Sequence, residues 1–224
     1  MDKQLIEIKP ILKTKGFQDL KIKKEDSAGI YPAIVSINQN SGLSNKESSI
    51  LNKVLSSYEK VNSGLELNKD DYVLKGHEIS EFKSIKRKNH ARYLIYRYKY
   101  NKYPELKIID DFPPCIQIEP SSICNYRCIM CYQIDRSFSN KSTGFMGYMD
   151  LDLYKNIIDQ IEGNIEAVTM ASRGEPLLNK NFVKMLEYAS GKFLGFKINT
   201  NASLLSEELS HTILSNIDIG TIVF

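Results

Sequence analysis

From Pro114 onward the chain alternates short apolar runs with stripes at helical spacing, and no other feature limits its fold as strongly. Cys115–Glu119, Glu166–Ala171, Phe196–Thr200 and Ile217–Phe224 read as strands. Between them, Asp150 caps a stripe of Leu153, Tyr154, Ile157, Ile158 and Ile161. Phe182, Met185, Leu186 and Ala189 form a second stripe, stopped by Gly191, and Ser206 caps a third helix to about Leu214. Three strand–helix units ending on a strand predict an α/β fold: a parallel sheet with right-handed crossovers. The last residues, Gly220 to Phe224, are apolar and uncharged, whereas parallel strands are normally covered on both faces. The chain is therefore expected to be a piece of a larger barrel.

The first half has a different texture. Leu5–Ile8, Leu20–Lys23 and Ile30–Ile37 read as short extended segments. Ser44 and Glu47 form a capping box ahead of Ile50, Leu51, Val54, Leu55, Tyr58 and Val61, which predicts a helix over 45–61, followed by a polar connection over 62–76. Residues 83–102 carry eight Lys or Arg, no acid, and Tyr93, Tyr96, Tyr98 and Tyr100. Bases interleaved with rings suit nucleic acid. They suit equally a helix from about Glu78 that buries Phe82, Ile85, Tyr93 and Tyr96 and leaves its bases in water, which is the reading preferred here.

Charge divides the chain at the same place. Residues 1–110 hold 21 Lys+Arg against 14 Asp+Glu, and residues 111–224 hold 9 against 13. With Pro113-Pro114 at the change of sign, two regions are expected: a basic α+β region of unknown role over 1–112, and the start of a barrel over 113–224. No apolar run approaches the roughly 18 to 20 residues of a membrane helix, and the N-terminus is not a secretory signal, so the cytoplasm is the expected compartment.

The cysteines are crowded. Cys124, Cys128 and Cys131 are spaced C-x3-C-x2-C, with Cys115 nine residues earlier. In a reducing compartment this points to metal or redox chemistry, with zinc and iron–sulfur as candidates. Structural zinc wants four ligands, and His77, His90 and His211 lie far off in sequence. A [4Fe–4S] cluster on three thiolates keeps one iron open, which favours catalysis over electron storage. Cys115, at the other end of the first strand, reads as a small core residue.

This arrangement resembles the radical S-adenosylmethionine (SAM) enzymes, whose C-x3-C-x2-C loop follows the first strand of a partial TIM-like barrel. Ser172-Arg173-Gly174-Glu175-Pro176 after the second strand is similar to that family's G-G-E-P segment. Thr200-Asn201-Ala202 after the third is similar to the T-N-G turn of the branch with a C-terminal SPASM domain. The resemblance covers about 113–224. It implies a [4Fe–4S] cluster on Cys124, Cys128 and Cys131. It also implies SAM contacts at Gly174, Glu175, Pro176 and Asn201, with Met130 packing on adenine. The implied activity is reductive cleavage of SAM to a 5′-deoxyadenosyl radical that abstracts hydrogen from a substrate, a peptide or a small molecule. An electron donor such as flavodoxin or ferredoxin is the implied partner; neither nucleic acid nor a membrane is expected as one.

Three departures from the pattern stand out. Arg173 replaces the first glycine of G-G-E-P, Met130 stands where an aromatic is common, and Ala202 replaces a glycine, which argues against positive φ there. The competing function is a non-catalytic zinc or iron–sulfur module with a basic, RNA-facing N-terminal half.

Overall fold

The computed structural model describes residues 29–38, 42–171, 173–217 and 220–223. The strand candidates Leu5–Ile8 and Leu20–Lys23, and Ser172, lie outside them.

The second half is built as its alternation predicts. Strands β1 (Cys115–Ile118), β2 (Ala167–Met170), β3 (Gly195–Asn199) and β4 (Gly220–Val223) form one parallel sheet in the order β1-β2-β3-β4. Strict sequence order has no topological switch point, which separates a partial (β/α) barrel from a doubly wound sheet. The register runs Cys115–Ala167–Gly195 in one rung and Gln117–Thr169–Lys197 two residues further along.

One sheet face is apolar and covered. Ile118, Val168, Met170, Phe196 and Ile198 pack against Tyr154 and Ile158, then Phe182, Met185 and Leu186, then Ile213. These come from helices Leu151–Ile161, Phe182–Ala189 and Glu207–Asn216. Asp150 caps the first by accepting from the N–H groups of Asp152 and Leu153, and Ser206 caps the third by accepting from Leu209 N–H, contacts worth about 1 kcal/mol each. Of the stripe expected after Asp150, Leu153 is instead exposed, because it falls on the solvent side of the turn that buries Tyr154.

The first half is helical where it is described. In chain order, α1 (Ile30–Asn38), α2 (Asn45–Asn62), α3 (Gly76–Ser84) and α4 (His90–Leu106) enclose a second core of Ile34, Leu51, Val54, Tyr58, Phe82, Tyr93 and Leu94. The capping box forms as expected, with Ser44 N–H donating to Glu47 at 2.9 Å. Three expectations are corrected. Ile30–Ile37 is helix, because Ile30 and Ile34, four apart, both enter the core. The 62–76 connection is not merely polar: Tyr72 and Leu74 are buried, and Tyr58 Oη accepts from Leu74 N–H at 3.1 Å. The basic helix is two helices, interrupted by a 3₁₀ turn at Arg87–Asn89.

The basic stretch divides its charge: Lys83, Lys86, Arg87 and Lys88 are exposed as expected, whereas its second half is paired with acids. Arg92 donates twice to Glu166, at 2.9 and 2.7 Å; Arg97 pairs with Glu81; Lys99 pairs with Asp110 at 2.8 Å. Tyr93 and Tyr98 are buried. Among the described residues no helix is long and apolar enough to cross a membrane.

Candidate functional site

The loop from Glu119 to Met149 leaves the carboxyl end of β1 and is closed at its neck. Ser121 and Tyr148 form an isolated antiparallel bridge, and Ser122 N–H donates to Gly147 O at 3.0 Å. Buried Asn179 clamps both arms, donating to Pro120 O at 2.7 Å and Met149 O at 3.0 Å. The cysteines ride on the exposed part of this loop: Cys128 is exposed, Cys124 and Cys131 half-buried, and all are free thiols.

Residues after β2 are held against the neck of the same loop. A Cβ on Gly174 would lie 2.3 Å from Ser121 O and 2.6 Å from Ile123 O, so only glycine fits. The close approach at this glycine is to the chain's own backbone. Beside it, Glu175 N–H donates to Ile123 O at 2.9 Å. The Glu175 side chain is 2% exposed and accepts from Leu177 N–H, Thr200 Oγ1 and Asn201 N–H at 3.0, 2.7 and 2.7 Å. Pro176 opens the short 3₁₀ turn Pro176–Leu178 and is buried.

The turn after β3 reaches the cysteines. Asn201 Nδ2 donates to Asn125 Oδ1 at 2.9 Å and lies 3.7 Å from Cys124 Sγ, to which Tyr126 N–H also donates at 3.4 Å. Ala202 has φ +59°, so the left-handed turn survives without its glycine. Its N–H donates to Thr200 Oγ1 at 3.0 Å, which helps to hold that conformation.

The structure thus brings Cys124, Gly174, Glu175 and Asn201 to one end of the sheet. Met130 stands apart, 85% exposed at the loop's tip. Cys115 lies half-buried at the amino end of β1, where burial pushes its thiol pKa up.

Two partners were not visible in the sequence. Arg173 donates bidentately to Glu119, at 2.6 Å from Nη2 and 2.8 Å from Nε, and its guanidinium lies 5.1 Å from the Phe138 ring centroid. Hydrogen bonding to Glu119 pushes the Arg173 pKa up. Gln133, 1% exposed, donates through Nε2 to Ser122 O at 2.8 Å and to Arg173 O, tying the cysteine loop to the segment after β2. Both contacts cross between segments far apart in sequence, and only the fold makes them.

A parallel barrel segment with three free thiols on the loop after its first strand, and two interlocked turns after the next two, defines an α/β cofactor-binding domain with its site at the carboxyl ends of the strands. Residues 118–218 match the sequence model of the Radical SAM superfamily. It is 26% identical over 100 residues to "Mycofactocin maturase MftC" of Mycobacterium tuberculosis, covering 45% of this chain and 24% of that protein. It is also 26% identical over 105 residues to "Fe-coproporphyrin III synthase" of Methanosarcina barkeri, covering 47% and 25%. The chain thus spans about a quarter of the length of these curated relatives. A crystal structure of BtrN in complex with AdoMet and 2-DOIA superposes with a TM-score of 0.42 at 25% identity, covering 51% of this chain and 46% of that one.

The superfamily implies a [4Fe–4S] cluster and SAM, and the local chemistry suits them. The donor set is three free thiols within eight residues, and two N–H groups, from Tyr126 and Asn201, are directed at Cys124 sulfur. Among the described residues no three His, Cys, Asp or Glu side chains are grouped closely enough to hold one metal ion. The fit is therefore one of ligand chemistry on an exposed loop, not of a preformed cage.

Proposed function

We propose that this chain is the cofactor-binding part of a radical SAM enzyme of the SPASM-bearing branch. Cys124, Cys128 and Cys131 carry the cluster. Glu175 and Asn201 hold SAM, with Gly174 and Pro176 shaping the segment between them and Met130 at the adenine side. When bound, the cluster and SAM supply a 5′-deoxyadenosyl radical for hydrogen abstraction. The chain's own residues orient them: Glu175 fixes the turn after β3, and Asn201 carries that turn to Cys124. The observation that supports this reading most is the run of hydrogen bonds from Ile123 through Glu175 and Asn201 to Cys124 sulfur.

The substrate is a peptide or a small molecule, and the reductant a flavodoxin or ferredoxin. Residues 1–112 form a separate region, and 113–224 the first part of the barrel. The RNA-facing alternative has less support, since Arg92, Arg97 and Lys99 all have acidic partners.

The test is anaerobic reconstitution with iron and sulfide. The expected result is a dithionite-reduced cluster whose electron paramagnetic resonance spectrum changes on adding SAM, with 5′-deoxyadenosine formed. One tightly held zinc and no iron uptake is the result that sinks the proposal.

A further inference from the structure

The sheet face opposite the crossover helices is not a packed core. Its amino-end rung, Cys115–Ala167–Gly195, is made of small residues, and an added Cβ on Gly195 would already meet Ala167 Cβ at 3.3 Å. Residues of helix α4 and of this rung together wall a cavity of about 240 Å³, lined by Tyr96, Tyr100, Arg97, Cys115, Thr169 and Lys197.

The charges around this cavity do not cancel. Glu81 is the acid in its wall, and it is already engaged by Arg97 and Tyr93. Arg97 itself lies 5.4 and 5.2 Å from the Tyr93 and Tyr96 ring centroids, locked into the helical core. Lys197 is different. It sits on the middle strand β3, is exposed on this face, and has no hydrogen-bond or ion-pair partner among the described residues. Glu166, just before β2, is taken by Arg92. An unmatched ammonium beside aromatic walls and a rung of small residues is a setting for one chemical class, a carboxylate on an aromatic or apolar body.

We propose that this cavity binds the carboxylate end of such a molecule, with Lys197 as the recognising cation and Tyr100 as a wall of the pocket. Lys197 lies four residues before Asn201, roughly 13 Å along an extended chain at about 3.3 Å per residue. A molecule anchored at Lys197 and running along this face would need about that length to present its other end at the cysteine loop. Identifying it as the molecule the barrel acts on rests on the proposed function; its binding does not.

The full chain, labelled with ¹³C at lysine Cε, is titrated with benzoate, with benzamide as its uncharged match and acetate as the carboxylate without a ring. Lys197 is assigned by the signal lost in Lys197→Arg. Benzoate is expected to move the Lys197 signal saturably. Lys197→Gln should weaken benzoate binding at least tenfold and Tyr100→Ala severalfold, while both variants keep the wild-type circular dichroism. Acetate acting as strongly as benzoate, benzamide matching it, or Lys197→Gln binding within twofold of wild type would each overturn the proposal. The titration needs neither iron nor SAM, so its failure is distinct from failure to load a cluster.

Discussion

The Glu175 carboxylate accepts the backbone N–H of Asn201 at 2.7 Å, so the turn after β2 and the turn after β3 are one unit. With Thr200 Oγ1 and Leu177 N–H on the same carboxylate, three donors converge on a side chain that water barely reaches.

Glu175→Ala leaves those donors without an acceptor. At about 1–3 kcal/mol for a buried unsatisfied group, a loss of about 3 kcal/mol is expected, read as a lower urea midpoint. SAM affinity should fall with it. Glu175→Gln keeps the shape and the oxygen that accepts from Leu177 and Thr200 but turns an NH2 group on Asn201 N–H, so it should recover part of the stability but not the SAM-induced spectral change.

Gly174→Ala should be more damaging than an added methyl suggests. The new Cβ meets three backbone atoms of residues 121–123 at 2.3 to 2.7 Å, and backbone cannot rotate away as a side chain tip can. Overpacking of this kind costs about 1–3 kcal/mol or more. The expected readings are a lower melting temperature and lower iron content after reconstitution. A variant with unchanged iron uptake would show that the loop neck yields freely.

Cys128→Ala should abolish the visible absorbance of the reconstituted cluster, whereas Cys115→Ala should leave it nearly intact. Cys115 sits at the opposite end of β1 from the loop. Iron and sulfide analysis of the two variants side by side decides the ligand set, and loss of iron from Cys115→Ala alone would reassign it.

Asp110 gives the chain an acid-sensitive contact. Burial pushes its carboxyl up, but hydrogen bonds from Lys46 and Lys99 outweigh burial and hold its pKa at about 2. A group depressed in the folded state stabilises above its unfolded value, near 4, and that contribution fades as pH falls toward 2. Asp110→Asn should therefore flatten the stability profile between about pH 4 and pH 2 and lower stability at neutral pH, as followed by urea unfolding across that range.

Arg97→Gln tests whether the basic helix serves the core. The side chain is 12% exposed and pairs with Glu81. Breaking such a pair leaves a poorly solvated acid, so a loss of about 3 kcal/mol is expected. RNA affinity lost at unchanged stability would restore the nucleic-acid reading.

How much of this was legible depends on whether a signal is local. The helix at Asn45–Asn62 announces itself through Ser44, Glu47 and a 3.6-residue stripe, and is found to within a residue. The four strands follow from short apolar runs bounded by polar turns. Ile30–Ile37 misleads because β-branched residues favour strands in isolation, while here Ile30 and Ile34 are claimed by a helical core. The break at Arg87–Asn89 leaves no glycine or proline to mark it; it lets Phe82 and Tyr93 enter the same core from two helices. At the candidate site, motif spacing singles out the cysteines, Glu175 and Asn201 as proposed site residues. Gln133 and the Glu119–Arg173 pair stay hidden, because their contacts join residues 11 to 54 positions apart.

Ala202 sits at φ +59°, a backbone state that costs an ordinary residue about 1 kcal/mol where glycine enters freely. That makes the position a ready handle for engineering. Ala202→Gly trades relief of a left-handed backbone angle against extra freedom in the denatured chain, and the side on which the balance falls measures how firmly the neighbouring threonine and glutamate dictate this corner's shape.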